Sequence, residues 1–158
     1  MANLLWDPNR NGRKLMEEFL NLHYGRAAAP IRRFIELVHD HAEASGVHPG
    51  CFGEAKDYAI DESVVQAGLE AFDQALKLAE NDAVRQRVEK ASICAYRAAI
   101  EPIWYIDDPS EVDPMLAKQM QPLVQRFLDL CLQYKVAEDN EGHSFDDTIA
   151  RIRRVVGL

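Results

Sequence analysis

The sequence has no long apolar run, no excess of positive charge and no paired cysteines, and each absence removes a class of function. No stretch approaches the roughly 18 apolar residues that a membrane-spanning helix needs. The start lacks a basic leading segment, and Asp7 interrupts its apolar residues too early for a signal peptide. Acidic side chains outnumber basic ones by 26 to 18, for a net charge of -8. A nucleic-acid binder needs a positive stripe to displace counterions from phosphates. Here the one basic cluster, Arg151, Arg153 and Arg154, shares its segment with Asp146 and Asp147. Neither a nucleic acid nor a membrane is expected as a partner. The three cysteines, Cys51, Cys94 and Cys131, are far apart and odd in number, so they form neither a CxxC nor a disulfide framework.

Motifs of chemistry are missing too. There is no G-x-S-x-G and no glycine-rich phosphate loop. Glu36 and His39 have the Glu-x-x-His spacing by which bundles hold di-iron, but such a site uses that motif twice, and no second copy exists. His39 and His41 are two apart and point to different helix faces. His48 and Cys51 form a lone H-x-x-C without a partner pair. The acidic neighbours Glu17-Glu18, Asp61-Glu62, Asp107-Asp108 and Asp146-Asp147 read as solvated faces and helix caps. No catalytic residue, metal ligand or cofactor is assigned.

What is present is helical periodicity. Apolar residues make up 47% of the 158 residues and charged ones 28%, the mixture of a globular chain. Leu15, Met16, Phe19, Leu20 and Leu22 repeat every three to four residues, and Gly25 stops that helix. Ile31, Phe34, Ile35, Val38 and Ala42 mark the next one, with Pro30 near its start and Gly46 closing it. Residues 47–61 are punctuated by glycine and proline and read as an irregular connection. Val65, Leu69, Phe72, Leu76 and Ala79 then form a stripe; Ser63 and Gln66 have capping-box spacing, with Asp61 competing for the cap.

After a turn at Asn81-Asp82, Val84, Val88, Ala91, Ala95 and Ala98 face inward, and Pro102 predicts a kink or break. Asp113-Pro114 opens a helix through Leu116, Met120, Val124, Phe127, Leu128 and Cys131, with Pro122 as a second possible kink point. Ser144 caps a short last helix carrying Phe145, Ile149, Ile152 and Val156. No segment alternates with period two over several residues. The expected fold is all-α, an up-and-down bundle of four main helices plus one or two short ones, forming a single domain over 1–158. Trp6, Tyr24, Trp104 and Tyr105 are the candidate contacts, offering flat faces to a sugar ring or to a domain interface.

The segment LLWDPNRNGRKLMEEFLNLHYGRAAAPIRRFIELVHDHAE resembles the helical region closing a large family of uncharacterised bacterial glycoside-hydrolase-like proteins. These are (β/α)8 barrels with relatives among the α-glucuronidases and β-N-acetylhexosaminidases. The resembling residues are Leu4-Leu5-Trp6-Asp7-Pro8, Phe19, His23-Tyr24 before Gly25, and Ala27-Ala28 before Ile31. Arg87-Val88-Glu89-Lys90-Ala91 fits more loosely, and little is similar from Asp107 onward.

The resemblance implies a fragment, with residues 1–8 the remnant of a preceding helix and the barrel as the partner in the same parent chain. It implies a non-catalytic accessory domain that packs on that barrel and shapes its substrate cleft. The acid/base and nucleophilic carboxylates would belong to barrel strands, so no catalytic residue is carried over. An exported parent, periplasmic or extracellular, is the family expectation. The alternatives are a carbohydrate-binding module or a protein-interaction module acting on its own, the latter including a homodimer that buries exposed apolar surface.

Overall fold

The computed structural model describes residues 7, 9–48, 50, 53–140 and 143–158. Apart from Asp7, the stretch 1–8 with its candidate contact Trp6 lies outside the described residues, as does Cys51. Among the described residues seven α-helices follow in order: α1 (Gly12–Tyr24), α2 (Ala28–Ser45), α3 (Glu62–Leu78), α4 (Asp82–Ala99), α5 (Glu101–Trp104), α6 (Pro114–Gln133) and α7 (Phe145–Val156). The four main helices are α2, α3, α4 and α6, with α1 and α7 shorter and α5 a single turn. The fold is the expected all-α bundle. A short antiparallel ladder, Glu138–Asn140 (β1) with His143–Ser144 (β2), leads into α7.

Local chemistry sets the helix ends. Side-chain oxygens of Asn11, Asp61, Asn81, Asp113 and Ser144 accept from backbone N–H groups of the first turns of α1, α3, α4, α6 and α7. At α3 Asp61 takes the cap, and the Ser63 hydroxyl donates to it at 2.6 Å, so the Ser63–Gln66 box does not form. Pro102 acts as expected. The chain leaves helical geometry at Ile100 and resumes for one turn in α5, with Pro102 in that first turn, where its missing N–H costs little. Pro122 lies within α6, which continues on both sides of it.

Two apolar cores meet on α4. The first gathers Leu20, Ala27, Ile31, Phe72, Ala75 and Val88 from α1 to α4. The second gathers Ile100, Ile103, Trp104, Phe127, Leu128 and Ile152 around the end of α4 with α5, α6 and α7. Small residues decide which faces meet. Gly68, Ala71 and Ala75 of α3 are buried, as are Ser92, Ala95 and Ala99 of α4, and their size brings the helices close. A Cβ built on Gly68 would lie 2.8 Å from the Phe34 ring. Both α3 and α6 pack extensively on α4, but not on each other.

Candidate functional site

Because α3 and α6 each pack far more extensively on α4 than on each other, a cleft of about 570 Å³ opens between them. Val65 and Leu69 of α3 form one wall, and Leu116, Met120 and Leu123 of α6 form the other. Each of these five side chains is half-buried. Ala98, Ala99, Glu101 and Pro102 line it where α4 passes into α5, and Ala55, Lys56 and Ile60 come from the connection before α3. Ala55–Tyr58 is one turn of 3-10 helix, so the 47–61 connection contributes an ordered piece of this wall.

Two of the carboxylates that line the cleft, Glu101 and Asp61, make structural contacts. Glu101 accepts from the Ala55 N–H at 3.0 Å through one oxygen and pairs with Arg97 through the other. The Arg97 guanidinium also sits 3.6 Å above the centre of the Trp104 ring. One chain of contacts thereby ties α4, α5 and the 3-10 turn together. At the rim, Asp61 accepts from Ser63 and from the Val64 N–H at 3.0 Å, and its second oxygen lies 3.2 Å from His41 Nε2. The Ser63 hydroxyl, then the Val64 N–H, hold the Asp61 carboxyl below its ordinary value. A general acid needs the opposite shift, up toward neutrality. Lys56, also at the rim, is paired with Glu54 at 2.7 Å.

Among the described candidate aromatics, Tyr24 lies apart from Trp104, each belonging to a different core. Tyr24 packs half-buried against the first core, and burial is the main cause raising its phenol above the ordinary value. Trp104 belongs to the second core, only 8% exposed, with Arg97 on its face and Phe127 edge-on at 5.8 Å between ring centres. Its ring is spent on packing and leaves no open platform for a sugar. Tyr105, the next residue, is 60% exposed. Elsewhere, Glu89 accepts from Tyr134 at 2.9 Å, from Gln133 at 3.1 Å and from Arg126 at 3.4 Å, joining α4 to the end of α6. Burial and then the Glu89 bond push the Tyr134 phenol up to about 12. Burial also pushes the Cys131 thiol up to about 11, the state of an inert core cysteine.

A second surface stands out on α1. Met16, Leu20 and Tyr24 face the first core, yet Phe19 is 58% and Leu22 79% exposed. With half-buried Leu15 they form a second stripe at i, i+4, i+7, and Phe19 stacks on His23 at 5.1 Å. Arg87 donates to the His23 carbonyl at 2.9 Å and pins the end of that helix.

Among the described residues no three His, Cys, Asp or Glu gather as a metal site, and no helix is long and apolar enough to cross a membrane. Leu69 packs against the first core and Leu116 and Met120 against the second, as their helical spacing implies, while part of each side chain also lines the cleft with Val65. Periodicity gives no sign of that second exposure, because it depends on how far apart α3 and α6 stand on α4. No protein-family model matches the chain, and neither a curated protein nor a solved structure matches it significantly.

Proposed function

We propose that the chain is a non-catalytic helical accessory module of a carbohydrate-active enzyme, packing through α1 on a (β/α)8 barrel. The observation that carries the reading is the pair of exposed apolar residues Phe19 and Leu22, in line with half-buried Leu15, on a helix whose other face already serves the core. A helix apolar on two faces has one face left for another folded body. Phe19 and His23, stacked on each other there, also belong to the phrase that resembles the glycoside-hydrolase-like family. The carboxylates Asp61 and Glu101 act as cap and strut, which supports an absence of bond-breaking chemistry.

The test is co-expression with the separately encoded barrel of a protein from that family. The chain should co-purify with the barrel, and the double variant Phe19→Ser, Leu22→Ser should lose it while staying folded, because exposed positions shift stability by only about 0.5 kcal/mol each. Failure of the unaltered chain to retain any barrel would sink the reading. A symmetric dimer in light scattering that the double variant dissolves would replace it with self-association. Stoichiometric heat on titration with oligosaccharides would replace it with carbohydrate binding.

A further inference from the structure

We infer that the cleft between α3 and α6 is a docking groove for an amphipathic helix with a basic flank, supplied by another polypeptide. The inference concerns a different surface from α1 and stands apart from the reading above. Its first support is shape. The walls run from Glu62 to Leu69 and from Leu116 to Leu123, about two turns or roughly 10 Å of each helix. Two helices packed on a common third, with Ala98 and Ala99 also lining the space between them, leave room where one more helix of a bundle could lie. Two turns of an inserted helix present side chains at i, i+4 and i+7 to such walls, the usual reading of a helix in a groove.

The second support is surface chemistry. Val65, Leu69, Leu116, Met120 and Leu123 are each half-buried, so together they offer apolar area that the molecule's own packing leaves uncovered. Met120 is unbranched and adapts to the shape of what it meets.

The third support is charge, which selects the occupant. Asp61 and Glu62, both exposed, mark the rim where α3 begins. Of the lysine and arginine residues, only Lys56 lines the cleft, and its ammonium is paired with Glu54. The chain as a whole carries -8. An occupant with Lys or Arg beside its apolar stripe is attracted and held in register, whereas an acidic one is repelled.

The probe is a synthetic amphipathic peptide of about 14 residues with leucines at i, i+4, i+7 and i+11 and lysines flanking them. Its control replaces every lysine with glutamate. Fluorescence anisotropy should show the basic peptide binding at least about tenfold more tightly than the acidic one, with a contrast that shrinks as salt is added. Glu62→Lys, on the exposed first turn of α3, should narrow or reverse that preference. Met120→Glu should weaken the basic peptide about tenfold or more with helical circular dichroism unchanged. If Met120→Glu fails to fold, the Glu62→Lys result decides. Equal binding of the two peptides, binding of neither, or binding unaffected by Glu62→Lys and lost instead in Phe19→Ser would overturn the assignment. So would displacement of the peptide by micromolar dodecyl maltoside, which would make the cleft a site for small amphiphiles.

Discussion

At the scale of single residues, the molecule spends its polar groups on holding itself together. Asp61 caps α3, receives the Ser63 hydroxyl and reaches His41 on α2, so one carboxylate fixes two helices. Its lowered pKa gives a testable sign. A carboxyl whose folded-state pKa lies below its unfolded value stabilises the fold fully above that unfolded value, and the contribution is lost as the pH falls through the folded one. Asp61→Asn keeps a competent cap but loses the charge. In urea unfolding, the wild-type chain should exceed Asp61→Asn in stability near pH 5, and the gap should close as the pH falls below the ordinary carboxylate range. A gap independent of pH would contradict this role. Residue identity also explains why Trp104 was legible only in part. An aromatic after a proline break was visible, but the Arg97 guanidinium over its ring comes from seven residues earlier, in α4, and depends on the break geometry. Ser92 gave no signal at all, because a serine buried to 1% exposure with its hydroxyl donating to the Glu89 carbonyl looks like surface in a hydrophobic pattern.

At the scale of elements, the ends and breaks of helices were the most legible features, because they follow from local chemistry. Gly25, Gly46, Pro102, Asp113-Pro114 and Ser144 each act within one or two residues of where the sequence places them. Gly25 carries the sharpest requirement. It sits at φ 54°, ψ -128° between α1 and α2, and a Cβ there would lie 2.6 Å from Glu80 Oε2, which also accepts from the Arg26 N–H. Gly25→Ala should cost about 1–3 kcal/mol, read as a lower urea midpoint with an unchanged slope. An unaltered midpoint would show that the junction is not held in this conformation. The faces of helices were less legible. On α3 most of the expected stripe reaches the core, with Phe72 buried and Leu69, Leu76 and Ala79 packed against it, but Val65 lines the cleft, and the small Gly68, Ala71 and Ala75 are buried where their size lets backbones approach. Periodicity fixes which residues share a face; it does not say which of two competing faces is turned inward.

At the scale of the whole molecule, α4 is the shared element on which both cores rest, and the groove follows from that arrangement. The all-α class was open to sequence reasoning. The cleft between α3 and α6 was not, since it depends on contacts between residues far apart in the chain. Recognition at the α1 stripe and the groove, with no chemistry at either, is the account that joins these surfaces to the committed carboxylates. Its most direct test is turnover of a panel of aryl glycosides by the purified chain. The account predicts a rate equal to that of buffer alone for the chain and for Glu101→Gln. Hydrolysis that follows the protein through every purification step and disappears in Glu101→Gln would contradict it.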